Sequence, residues 1–225
     1  MSAPALPVET IDPGTTLVVG SSDLDRAQTL GTLLLSMGCN PDDGVLFVAT
    51  DTPGDDLLTQ CAEFELDPEE TDLQLIDGTG DAGGDPDADV DVEPLPDDDL
   101  TSMGIKFSVV HENLSEQGAR RVLAGVQTLS SILEAHDLRK IVRFLNTVSS
   151  RIENGGGLMV FVIDATAHGR ETLETISQVC DGYIEVRGAD DDENEIRIHG
   201  LPDQPEGWLT VPAPLLSRRA SGDSN

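Results

Sequence analysis

Thr16-Leu-Val-Val-Gly20-Ser-Ser-Asp-Leu-Asp-Arg26-Ala27 reads as a buried strand, a tight turn and the start of a helix. A phosphate-binding loop, where a chain has one, stands at such a place. That loop needs G-x-x-x-x-G-K-[ST]: glycines that turn backbone amides toward the anion, a lysine for the outer phosphates and a hydroxyl for magnesium. Gly20 meets the first requirement, but Asp25, Arg26 and Ala27 stand where the second glycine, the lysine and the hydroxyl belong. The stretch predicts an architecture and argues against the chemistry that usually goes with it.

Working outward, apolar runs alternate with amphipathic ones. Ala27, Leu30, Leu34 and Met37 form one helical stripe, and Val-Leu-Phe-Val-Ala-Thr over 45–50 is a second continuous strand. Thr52 and Pro53 then start a helix as N-cap and first residue, with Asp55 and Asp56 in its first turn and Leu57, Leu58, Cys61 and Ala62 facing inward. Residues 73–76 make a short strand. The acidic, Gly/Pro-rich run over 78–99 buries too little apolar area to offset its ordering entropy, so it is expected to be a mobile loop. Helix resumes near Leu100 with Met103, Phe107, Val110 and Leu114 at helical spacing.

Residues 121–126 fit either a helical stripe or a buried strand; the alternating context favours a strand. Asp137 is expected to cap a helix whose face is Leu138, Ile141, Val142, Leu145, Val148 and Ile152, ended by Gly155-Gly-Gly157. A central strand over 158–163, a helix over 169–180 and a hairpin of 183–187 with 195–199 follow. This order predicts an α/β fold in three layers: a mostly parallel sheet with helices on both faces and an antiparallel C-terminal edge. Ligands of such sheets sit beyond the carboxyl ends of the strands, which is where Gly20, Asp51, the residues after Val126 and Asp164 fall. The expected domain spans 14–211, with an irregular lead over 1–13 and a frayed tail over 212–225.

The 225 residues include 43 acidic and 13 basic side chains, for a net charge of −30, and only two lysines, Lys106 and Lys140. The acids flank apolar runs along the whole chain rather than forming a tail, which is the pattern of a halophile's surface. At ordinary salt, screening extends about 8 Å and neighbouring carboxylates repel; at about 1 M it shrinks to about 3 Å. Native structure is therefore expected only in molar salt. The charge argues against a nucleic-acid partner. Cys39, Cys61 and Cys180 lack metal spacing and read as small packing residues, and the four histidines form no H-x-x-x-H pair. No basic leader precedes an apolar run, and no apolar run is long enough to span a bilayer, so no membrane insertion and a cytoplasmic location are expected.

Six pieces taken together resemble the KaiC-like branch of the RecA superfamily, in particular its haloarchaeal members. They are Val18-Val-Gly-Ser-Ser22, Ala49-Thr-Asp-Thr-Pro-Gly-Asp-Asp-Leu-Leu58, Leu100-Thr-Ser-Met-Gly-Ile105, Arg143-Phe-Leu-Asn-Thr147, Leu158-Met-Val-Phe-Val-Ile-Asp164 and Val179-Cys-Asp-Gly-Tyr-Ile-Glu-Val-Arg187. The resemblance implies a RecA-like ATPase core of the kind commonly assembled into rings. Carried over residue by residue, its phosphate loop falls on Gly20, Asp25, Arg26 and Ala27. Its catalytic carboxylates after the second strand fall near Asp51 and Thr52, and its magnesium-binding acid, at the end of the 121–126 strand, falls on Gly125. Asp23 and Asp25 would face the phosphates, and like charges about 4 Å apart repel by about 4 kcal/mol at an effective dielectric of 20. Asp25 would then occupy a left-handed nest, which aspartate tolerates; Arg26 would stand in for lysine with a planar fork instead of a point charge.

Each candidate has a plainer alternative. Gly20-Ser21-Ser22 is a residual anion nest or a simple strand-to-helix turn. Asp51 is a residual carboxylate of the site or a helix-entry acid. Asp164 and His168 are an acid/base pair or a turn with a helix-start histidine. Arg120-Arg121 contacts a partner's acidic face or is a solvated flank. The expected residual nucleotide-binding set is Gly20, Ser21, Ser22, Arg26 and Asp51, with no catalytic residue, no metal ligand and no cofactor. The expected function is a non-catalytic regulatory or interaction module in signal transduction, working with a protein partner, an active paralogue or further copies of itself. The alternative is a weak ATPase using ATP and magnesium, completed by a neighbouring subunit.

Overall fold

Strands whose residues are apolar at successive positions bury both faces, and four such strands form the centre of this molecule. The computed structural model describes Leu6 and residues 11–66, 71–79, 92–94, 100–189 and 193–216. The central strands are β1 (Thr15–Ser21), β2 (Gly44–Ala49), β5 (Val122–Val126) and β6 (Leu158–Asp164). β3 (Asp72–Asp77) and β4 (Val92–Pro94) extend the sheet on one side. β7 (Gly182–Gly188), β8 (Asn194–His199) and β9 (Leu209–Val211) extend it on the other. The order is β4-β3-β2-β5-β6-β1-β7-β8-β9, parallel from β4 to β7 and antiparallel from β7 to β9. This is the expected architecture.

Side-chain alternation sends two cores to opposite faces. Leu17, Val19, Phe47, Leu123, Val160 and Val162 pack under α1 (Leu24–Gly38) and α2 (Gly54–Glu63). Val18, Leu46, Val48, Ala124, Phe161 and Ile163 pack under α3 (Leu100–Gln117), α4 (Ser130–Ala135), α5 (Leu138–Asn154) and α6 (Arg170–Val179). In α5, Ile141, Leu145, Val148 and Ile152 recur every three to four residues and are fully buried, each contributing about 1.5–3 kcal/mol.

Several local expectations are corrected. Met37, on the expected inner stripe of α1, is 52% exposed; in the last turn it is Gly38 that lies over the sheet, where a Cβ would be 3.2 Å from Leu123 and 3.4 Å from Leu158. Ala62 is exposed and Leu58 half-buried; the face of α2 is set by Leu57 and Cys61. That helix starts at Gly54 with Pro53 as N-cap, so Thr52 does not cap it. Asp137 occupies the N-cap of α5 without a side-chain hydrogen bond. Within the run read as a loop, Val92–Pro94 pairs in parallel with β3, while 80–91 and 95–99 lie outside the described residues. The tail read as frayed contains a short helix, α7 (Ala213–Leu216), whose Leu216 is buried against the α1 core; residues 217–225 are not among those described.

Of the cysteines, Cys61 is buried and Cys39 and Cys180 are half-buried. Burial raises all three thiols, that of Cys180 to about 12. Since the thiolate is the reactive form, Ellman's reagent at neutral pH is expected to label the native protein slowly and Cys61 only after unfolding. Rapid labelling of Cys61 in the native state would contradict this packing.

Candidate functional site

The strand order reverses direction around β1: the chain leaves β1 through α1 for β2, three positions away, then fills the gap with β5 and β6. A crevice opens beyond the carboxyl ends at such a switch point. Its lip is built from the residues ending β1, β2, β3, β5 and β6.

The β1–α1 connection is two residues long, Ser22 and Asp23. Asp25, Arg26 and Ala27 therefore lie inside α1 and not in a loop, and the described non-glycine residues with positive φ are Glu65 and Asp203, so no left-handed nest forms at Asp25. Asp23 is the N-cap: its carboxylate accepts from the Arg26 amide at 3.4 Å and from Arg26 Nε at 2.8 Å. The Asp23 amide donates to Ser21 Oγ at 3.1 Å, and Ser21 itself is buried. The Arg26 guanidinium runs sideways to the β7–β8 turn, where it bonds Asn194 Oδ1 and lies against Gly188. It does not reach over the turn. Gly20 faces the other side of the sheet, where a Cβ would lie 2.7 Å from the Tyr183 hydroxyl oxygen. Glycine leaves room there for the tyrosine ring. Ser22 is exposed.

Beyond β2, Asp51 is exposed and accepts from Thr52 Oγ1 at 3.3 Å. Partial burial and the nearby Asp25 charge raise its carboxyl above the usual range, against the Thr52 hydrogen bond. Asp25 and Asp51 thus face the same crevice. The backbone around Asp51 is held by a residue that the motif reading passed over. Gln127, buried at the end of β5, accepts at Oε1 from the amides of Thr50, Asp51 and Thr52 at 3.2, 3.5 and 3.2 Å. Thr50 and Thr128 tie the same loops together at 2.8 and 3.1 Å. The position assigned to a magnesium acid, Gly125, is inside the strand: a Cβ there would lie 2.8 Å from Leu35 and Phe47 in the α1 core. The first polar residue past that strand is Gln127.

Asp77, at the end of β3, is likewise buried; it accepts from the Gly54 amide at 3.4 Å and from the Thr79 amide and hydroxyl at 2.8 and 2.6 Å. Asp164 closes a turn after β6, accepting from the Thr166 amide and hydroxyl at 2.7 Å each and from the Ala167 amide at 3.1 Å. Those bonds overcome the cost of partial burial and hold its carboxyl below the usual range. The turn reading of Asp164 and His168 is the one the geometry matches. Arg121, set beside Arg120 as a partner contact, instead pairs internally with buried Asp43 at the opposite end of the sheet. Position past a strand end places the residues after Val126, and so Gln127, at this site; applied to β3 as well, it also finds Asp77.

The room beneath α1 is small. The cavity bordered by Gln28, Thr32, Phe47 and Gln127 holds about 10 Å³, on the order of one water. No group of three or more metal-binding side chains occurs among the described residues, and none of the described helices is long and apolar enough to cross a membrane.

A mostly parallel sheet with helices on both faces, an antiparallel edge and a crevice at the β1 switch point is a three-layer, RecA-like α/β fold, and solved structures share it. An uncharacterised Pyrococcus horikoshii protein, PH0321, solved in complex with an unknown peptide, matches with a TM-score of 0.66 at 16% identity, covering 86% of each chain. The KaiC-like protein PH0186 of Pyrococcus horikoshii OT3 matches with a TM-score of 0.60 at 16% identity, covering 88% of this chain and 84% of that one. No curated protein matches. This chain belongs to the family described as "Family of unknown function (DUF7504)", whose model matches residues 13–186.

Proposed function

We propose that this protein is a non-catalytic member of the KaiC/RecA-like class, a regulatory or protein-interaction module in cytoplasmic signal transduction of a halophilic archaeon. The observation that carries the reading is the two-residue turn after β1. Its N-terminal amide at Arg26 is already bound by Asp23, and the Arg26 guanidinium is engaged by Asp23 and Asn194. A nucleoside triphosphate with magnesium does not fit these residues. Among the described residues, the crevice offers it the carboxylates of Asp25 and Asp51, no free cation at the turn and no carboxylate on the β5 strand end, where Gln127 stands. Of the expected nucleotide-binding set, Gly20, Ser22 and Arg26 point elsewhere or to solvent, while Ser21 and Asp51 remain at the lip. The neighbouring Pyrococcus horikoshii protein in complex with a peptide supports an interaction role.

Isothermal calorimetry with ATP and magnesium in multimolar potassium chloride tests this reading. The expected result is no saturable heat up to millimolar nucleotide; tight binding, or turnover lost on Arg26→Ala, would overturn it. The halophilic part is checked by far-UV circular dichroism across a salt titration. With a charge of −30, native helix content is expected only toward molar salt, and full structure at low salt would rule that part out.

A further inference from the structure

We propose that the groove between α3 and α5 docks an acidic, amphipathic helical segment of a partner protein. This rests on the interaction-module reading and gives the partner its chemistry. The groove encloses about 600 Å³ on the face of the sheet away from α1. Its walls are two helices, lined from Thr101 to Glu112 on one and from Lys140 to Arg151 on the other. Each ridge runs about three turns, roughly 16 Å, which suits a helix of similar length.

The floor is apolar and open. Among the described residues the exposed large hydrophobics are Met37, Ile105 at 62% and Val109 at 47%, and the latter two stand one turn apart in this groove. Phe144 lies between the helices. Gly104 leaves room above that ring, since a Cβ there would meet only Phe144, at 3.8 Å. Apolar side chains spaced three to four residues apart on an incoming helix match this floor.

The rim has the sign opposite to the rest of the molecule. Lys140, Arg143 and Arg151 are exposed along it, and Glu112 is the acid on the facing wall. α5 carries four of the chain's 13 basic residues and a single acid, Glu153, in a protein of net charge −30. Among the described residues none of the three rim cations forms an ion pair. A short acidic helix meets only this local patch, whereas an extended anionic surface such as a membrane or duplex also meets the surrounding carboxylates. Complementarity of this kind selects the partner and its register as much as it adds affinity.

The test uses the full chain at the lowest potassium chloride concentration that keeps native far-UV circular dichroism. The probe is a fluorescein-labelled three-turn peptide with leucines along one face and glutamates on its flanks, set against the same peptide with lysines for glutamates, and read by fluorescence anisotropy. Saturable binding of the acidic peptide at least tenfold tighter than the basic one is expected. Arg143→Glu should weaken it about tenfold or more, and Gly104→Met should abolish it by filling the floor, both with unchanged circular dichroism. Equal binding of the two peptides, no effect of Arg143→Glu, binding only to phosphatidylglycerol vesicles, or a dimer by light scattering that excludes the peptide would each overturn the proposal. ATP binding with peptide binding intact would overturn the non-catalytic reading alone.

Discussion

Arg121→Ala is expected to lower the unfolding free energy by about 3–5 kcal/mol, the range for removing one partner of a buried ion pair. The Asp43 side chain is fully buried at the start of β2, and the Arg121 side chain is 23% exposed. The guanidinium donates to Asp43 Oδ2 from Nε at 3.0 Å and to the Gly38 carbonyl from Nη2 at 2.7 Å, closing the C-terminal end of α1 onto the strand. Asn40 adds its amide and side chain to the same oxygen at 3.0 and 2.9 Å. Burial alone would push the Asp43 carboxyl up; the hydrogen bonds from Arg121 and Asn40 outweigh it and hold the group below its ordinary value.

The sign of the pH dependence follows. A carboxyl depressed in the folded state stabilises the fold above its unfolded pKa of about 4 and loses that contribution as pH falls through the folded value. In Arg121→Ala the carboxylate keeps only its Asn40 donors and escapes part of its penalty by taking a proton. Chemical denaturation should therefore give the full loss near pH 7 and a clearly smaller one near pH 3, at constant salt. A loss below about 1 kcal/mol at neutral pH would mean that the pair is solvated.

Both members of that pair were visible in the chain, but nothing in their spacing of 78 residues announced the contact. Hydrophobic period made the large elements legible: continuous apolar runs became β1, β2, β5 and β6, and three-to-four spacing became α3 and α5. Edges were harder, because a strand such as Val92–Pro94 is held by its neighbour β3 and has little pattern of its own. The crevice was legible in place and illegible in detail. Counting along a motif put Arg26 over the turn, whereas helix α1 begins early enough to carry it round to Asn194. Counting also put the magnesium acid on Gly125, one β-repeat short of Gln127, because strand length is set by pairing with β2 and β6 and not by the motif.

That displacement separates two substitutions with very different outcomes. Gly125→Asp, the change that motif counting would choose to rebuild a metal site, is expected to prevent folding at any salt. Its Cβ would sit 2.8 Å from both Leu35 Cδ1 and Phe47 Cε1, and the carboxylate would have no described partner in that apolar core. Steric strain and an unpaired buried charge together exceed about 4 kcal/mol, a large part of the stability of a domain this size. Gln127→Asp keeps an acceptor at the strand end but shortens its reach to the Thr50, Asp51 and Thr52 amides and adds charge beside Asp25 and Asp51. A loss of about 1–3 kcal/mol with retained native circular dichroism is expected, in the range for leaving buried donors without a partner. Calorimetry of Gln127→Asp with ATP and magnesium should still show no saturable heat, since the two-residue turn and the Asp23 cap are untouched. If Gly125→Asp folded normally, or Gln127→Asp acquired magnesium-dependent nucleotide binding, the crevice would need only a restored acid to work. The closed turn would then not be what separates this chain from an ATPase.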